Sequence, residues 1–133
     1  MRVLFLGDIV GRSGRLQLQE SLKDYREANK IDFVIANGEN ATSGAGLSPK
    51  HAGLILDSGV DCITLGDHAF DQKEIREIIN DNKKIIRPIN FSEESPGRGF
   101  NIFNVQSKKI LVVQVLGRVF MKKNFSDPFS MLD

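Results

Sequence analysis

Phe33-Val34-Ile35-Ala36-Asn37-Gly38-Glu39-Asn40 is the stretch on which the fold turns. Four apolar residues run without a polar break and then give way to a glycine, a carboxylate and amides. A continuous apolar run of this length suits a parallel strand covered on both faces, because a half-exposed antiparallel strand would alternate. The pattern recurs on either side: Val3-Leu4-Phe5-Leu6 precedes Gly7-Asp8, and Cys62-Ile63-Thr64-Leu65 precedes Gly66-Asp67-His68. Between the runs lie helical stretches. Arg15 to Asn29 carries Leu16, Leu22 and Tyr25 among charged and polar residues. The second has Ser48 as N-cap, Pro49 at the first helical position, Ile55 and Leu56 inside, and Gly59 as the stop. The order is β-α-β-α-β. Right-handed crossovers then make the strands parallel and bring their carboxyl ends to one edge, where open α/β sheets bind ligands.

Beyond Leu65 the pattern loosens. Asp71 is placed to cap a third helix through about Asn80, with Ile75, Ile78 and Ile79 on one face, and Lys84-Ile85-Ile86-Arg87 reads as a fourth strand ended by Pro88. A polar loop through Ser95-Pro96-Gly97-Arg98-Gly99 follows. Phe100 to Val105 alternates, Gln106-Ser107-Lys108-Lys109 turns, and Ile110 to Leu116 is apolar, so a late antiparallel hairpin is expected.

The three strand ends deliver Asp8, Glu39 and Asp67, with the Asn40 amide and the His68 imidazole beside them. Carboxylates gathered at one edge repel each other, and burying such charges unpaired is costly. A divalent cation resolves both difficulties, since hard oxygen donors are what it takes. Singly, each residue has a plainer reading: Asp8 closing a turn, Glu39 and Asn40 in a solvated loop, Asp67 capping the turn before His68. Three such residues at three successive strand ends favour the metal site. Asp71 is assigned to helix capping and His51 to the surface or to packing.

Composition bounds the function without naming it. A chain of 133 residues with 41% hydrophobic content suffices for a single domain over residues 1–133. A formal net charge of +1 gives no bulk reason to expect nucleic acid or a membrane surface as partner. Asp8 interrupts the N-terminal apolar run far short of a membrane span or signal core, so a cytoplasmic location is expected. Cys62, the single cysteine, reads as an inert core residue rather than a nucleophile. A homo-oligomer is compatible with this composition.

At Gly7-Asp8-Ile9-Val10-Gly11-Arg12, Gly38-Glu39-Asn40-Ala41 and Gly66-Asp67-His68 the chain resembles the calcineurin-like metallophosphoesterases, and within them the YmdB-type subfamily of 2′,3′-cyclic-nucleotide phosphodiesterases. Arg87-Pro88-Ile89-Asn90-Phe91, Pro96-Gly97-Arg98-Gly99-Phe100 and Leu116-Gly117-Arg118-Val119-Phe120-Met121 extend the resemblance to the end of the chain. It implies a layered α/β fold, mainly a parallel sheet with flanking helices and a late hairpin. It also implies hydrolysis of phosphoesters, phosphodiesters such as 2′,3′-cyclic nucleotides foremost, with two divalent metal ions, manganese or iron before magnesium. By the same resemblance Asp8 binds one metal, Glu39 bridges both, Asn40 binds beside it, the residue at Asp67 binds the second metal, and His68 acts near the leaving group.

Two departures stand out. The third block of the family reads Gly-Asn-His, so Asp67 adds a negative charge where an amide is usual. Family members are also about double this length and supply further histidines, among them a His-x-His pair, whereas this chain has His51 and His68 alone. The chain thus corresponds to the N-terminal portion of an incomplete fold and is expected to bind metal weakly. The rival reading is a non-catalytic nucleotide-binding or regulatory α/β module, suggested by Gly7, Gly11 and Gly14 between strand and helix. Its spacing is not Gly-x-Gly-x-x-Gly, and Asp8 would face the phosphates.

Overall fold

The computed structural model describes residues 1–133. Four parallel strands form the main sheet in the order β1-β2-β3-β4: β1 is Val3–Leu6, β2 Phe33–Asn37, β3 Cys62–Thr64 and β4 Ile85–Ile86. Helix α1 (Gly11–Ala28) crosses from β1 to β2 and α2 (Pro49–Asp57) from β2 to β3. A separate antiparallel hairpin, β5 (Phe100–Val105) and β6 (Lys108–Val113), completes the fold. The parallel sheet, crossover helices and late hairpin agree with the architecture expected from the sequence.

The strands sort their side chains by parity, and each face acquires its own cover. Leu4, Leu6, Val34, Ala36, Ile63, Leu65 and Ile85 face the helices and pack with Leu18 and Leu22 of α1 and Ala52 and Ile55 of α2. Phe33, Ile35, Cys62 and Ile86 face the other way, against Phe103, Val105, Ile110 and Val112 of the hairpin. This two-sided burial is why β2 to β4 read as unbroken apolar runs. The hairpin is stitched on through main-chain bonds, Arg87 N–H to the Arg98 carbonyl at 2.9 Å and Ile89 N–H to the Gln114 carbonyl at 2.7 Å. The buried Arg87 guanidinium gathers the intervening loop by donating to the carbonyls of Pro88, Ser95 and Pro96.

Several local expectations need correction. β1 is an edge strand covered on the helix face alone, and Val3 and Phe5 are 45% and 60% exposed because the hairpin stops short of them. Helix α1 begins at Gly11, four residues before the predicted start, because its left-handed φ of +56° turns the chain directly into the helix. The third helix is a 3-10 turn, Lys73–Glu77, and its N-cap is Gln72 rather than Asp71. The hairpin turns on Gln106 and Ser107, and β6 ends at Val113 rather than Leu116. The second helix is as predicted: Ser48 accepts from the His51 N–H, Pro49 occupies the first turn, and Gly59 follows the C-cap at φ +109°.

Candidate metal centre

The first two strand-end loops are tied together by their backbones. Ile9 N–H donates to the Asn37 carbonyl at 2.9 Å and Gly11 N–H to the Asn40 carbonyl at 3.0 Å. Asp8 and Asn40 therefore meet, with Asn40 Nδ2 donating to Asp8 Oδ1 at 2.8 Å. An amide whose nitrogen is thus engaged keeps its carbonyl oxygen as a free acceptor. The Gly11 bond also bears on the rival reading, since it occupies one of the helix amides that a phosphate would need.

Glu39 sits between the outer blocks. Gly38 N–H donates to the Thr64 carbonyl at 2.9 Å, which sets the second loop against the third strand. The Glu39 carboxylate then lies directly over Gly66, where any Cβ would collide with it, so glycine at 66 is a condition for this approach. Asn37 Nδ2 donates to Glu39 Oε1 at 3.2 Å, while Oε2 is buried and has no hydrogen-bond partner. Burial pushes the Glu39 carboxyl above its ordinary range, and the charge of Asp67 adds to this. The Asn37 amide and the backbone at His68 pull the other way. A buried carboxylate oxygen without a partner is a costly arrangement that a cation would relieve.

The third block holds Asp67 and His68. His68 Nε2 lies 3.9 Å from Asp67 Oδ2, and its Nδ1 lies 2.5 Å from Asp71 Oδ2. The hydrogen bond to Asp71 is the main reason the imidazole pKa is raised. Lys123 reaches the same edge from the C-terminal segment, donating to the Asp67 carbonyl at 2.7 Å with its Nζ 3.8 Å from Asp71 Oδ1. Asp71 and Lys123 are thus neighbours of the site that the sequence did not assign to it. Capping explained Asp71, although its position three residues after His68 was the available signal. Nothing in the sequence linked Lys123 to a strand end more than fifty residues away.

The predicted residues all emerge along one edge of the sheet, as Asp8 with Asn40, Glu39 over Gly66, and Asp67 with His68. They do not converge: no three His, Cys, Asp or Glu side chains close on one point. The donor chemistry suits a divalent cation, with an orphaned carboxylate oxygen and a free amide oxygen among hard oxygen groups. His51 stands apart, its Nδ1 2.7 Å from Thr42 Oγ1, in the packing role expected of it.

Comparison with known proteins finds relatives along nearly the whole chain. A 2′,3′-cyclic-nucleotide 2′-phosphodiesterase of Bacillus subtilis is 40% identical over 133 residues, covering 100% of this chain and 50% of the relative. A putative phosphatase/phosphodiesterase of Mycoplasma genitalium is 34% identical over 121 residues, covering 88% of this chain and 43% of its own length. Among solved structures, a hypothetical protein from Thermus thermophilus superposes with a TM-score of 0.93 at 41% identity, covering 99% of this chain and 51% of that one. A Mycoplasma pneumoniae structure described as a novel phosphatase gives 0.89 at 33% identity, with 98% and 48% covered. The chain spans about half the length of the curated relatives it matches. No helix is long and apolar enough to cross a membrane. The family described as YmdB-like protein matches residues 4–133, so nearly the whole sequence is accounted for by one family, and the chain belongs to it.

Proposed function

We propose that this chain carries the first half of the active site of a metal-dependent phosphodiesterase, with 2′,3′-cyclic nucleotides as the preferred substrate class. The observation that carries the reading is the buried, unpartnered Glu39 Oε2 at the edge where Asp8, Asn40 and Asp67 also emerge. The names of the relatives support the reaction class.

In this reading Asp8, Glu39, Asn40 and Asp67 would hold two divalent ions, manganese or iron before magnesium. When bound, such ions lower the pKa of a coordinated water and neutralise the phosphoryl oxygens. The chain's own residues do the rest. The Asn40 amide, donating to Asp8, orients that carboxylate and presents its own oxygen beside it. Gly66 leaves room for the Glu39 carboxylate to reach the edge. His68 offers Nε2 to the departing alkoxide as a proton donor, a role helped by the hydrogen bond to Asp71, which raises the imidazole pKa and so favours its protonated form. Because the ligands do not close on one point, metal binding by residues 1–133 alone is expected to be weak.

Titrating the purified chain with manganese, and assaying 2′,3′-cyclic nucleotides and bis-p-nitrophenyl phosphate with and without chelator, tests the proposal. Weak manganese binding that is lost in Glu39→Gln, and any hydrolysis lost on chelation, is the expected result. Hydrolysis that survives both chelation and Glu39→Gln would overturn it.

A further inference from the structure

Asp71 was expected to cap a helix, but that helix does not form: the 3-10 turn starts two residues later, with Gln72 as N-cap and no side-chain cap bond. The Asp71 carboxylate is turned instead to the imidazole of His68, with Oδ2 2.5 Å from Nδ1. Its other oxygen faces Lys123, whose Nζ lies 3.8 Å away and also donates to the Asp67 carbonyl. The backbone supports the pairing, since Asp71 N–H donates to the His68 carbonyl at 3.1 Å and closes a tight turn between the two residues. The side chain is therefore held from two sides and pinned by its own main chain.

We propose that Asp71 is a positioning residue for His68, fixing the imidazole as the Nδ1–H tautomer and directing Nε2 toward the Asp67 side of the candidate centre. A carboxylate accepts hydrogen bonds and donates none, so the proton between the two groups belongs to Nδ1. Nε2 is then the only ring atom free to exchange a proton: bare in the neutral ring, it takes one up from solvent to form the imidazolium and gives that proton to the substrate oxygen, and the ring cannot flip without breaking the bond to Asp71. The catalytic part of this inference rests on the phosphodiesterase reading given above, whereas the tautomer does not.

Two measurements separate the two. In the metal-free, 15N-labelled chain at a pH where His68 is neutral, its signals are identified by their loss in His68→Gln. They should show Nδ1 protonated and Nε2 bare, and Asp71→Ala should return the ring to the mixed tautomers of a free imidazole. The same mixture in both proteins would overturn the positioning role. In whatever form of the protein hydrolyses phosphodiesters, the conservative Asp71→Asn should lower kcat about 10- to 100-fold on a 2′,3′-cyclic nucleotide, whose ribose oxygen needs a proton to leave. On bis-p-nitrophenyl phosphate, whose leaving group needs none, the loss should stay within about threefold, and KM should hardly move. An equal loss on both substrates, or none on either, would overturn the catalytic half. Absence of hydrolysis in an unmutated form that holds its metal ions would instead count against the phosphodiesterase reading, and the tautomer measurement would still decide what Asp71 does.

Discussion

Cys62 shows how a residue's surroundings override its intrinsic chemistry. It lies fully buried on β3 among Phe33, Ile86, Val105 and Val112, and burial, reinforced by the charge of Asp61, pushes its thiol from 9.0 up to about 12. The folded protein therefore keeps this proton while the unfolded chain releases it above pH 9, so the unfolded state binds fewer protons there and stability falls. The contribution is fully present below pH 9 and is lost as pH rises toward about 12. Cys62→Ala should cost about 1 kcal/mol at pH 7 yet flatten the decline in denaturation midpoint between pH 8 and 11, read by urea unfolding at each pH. Native Cys62 should also resist thiol reagents at pH 8 until denaturant is added. The sequence made the inertness of this cysteine legible, because an apolar strand on both sides of it implies burial. Asp71 was not legible in the same way: a carboxylate before a run of isoleucines is as good a cap as it is an imidazole partner, and only the course of the backbone decides.

Among the elements, the crossover units were the most legible and the segment after β3 the least. Ser48, Pro49 and Gly59 each carry a backbone preference that local geometry satisfies, so α2 forms where its caps say. Ile75, Ile78 and Ile79 gave a helical signal, but a 3-10 turn followed by further turns also brings such positions to one side, and Ile75 and Ile79 reach the core that way. The edge character of β1 was hidden for a related reason, since a hydrophobic run does not reveal how far a later hairpin will extend over it. A long-range polar tie now holds the C-terminal segment: fully buried Asn90 donates through Nδ2 to the carbonyls of Leu116 at 2.8 Å and Ser126 at 3.1 Å and accepts from the Leu116 N–H at 3.0 Å. No local pattern announces such a role. Asn90→Ala should strand those groups and cost about 1–3 kcal/mol, and amide hydrogen exchange should quicken from Leu116 to Ser126 well before it does in β2. Uniform exchange in the variant and the unmutated chain would show that Asn90 is not the tie.

At the scale of the whole molecule, one face of the sheet is finished and the other is not. The helix face is covered along all four strands, with Leu4 and Leu6 of β1 half-buried, whereas on the hairpin face Val3 and Phe5 of β1 lie open, and the outer side of the hairpin exposes Phe100, Ile102 and Leu111. β1 also pairs with β2 alone, which leaves its second backbone edge without a strand partner. A free edge flanked by exposed aromatic and aliphatic groups is the arrangement that invites pairing between chains, and no Lys or Pro within Val3–Leu6 blunts it. Purified residues 1–133 should therefore associate with rising concentration, seen as a growing apparent mass in light scattering, and should bind a dye that reports exposed apolar surface. Phe5→Lys places a charge at the centre of the edge on a side chain that packs against neither core, so it should suppress the association while shifting the melting temperature little. If Phe5→Lys associates as readily as the unmutated chain, the exposed side of the hairpin, tested by Ile102→Lys, becomes the contact surface instead of β1.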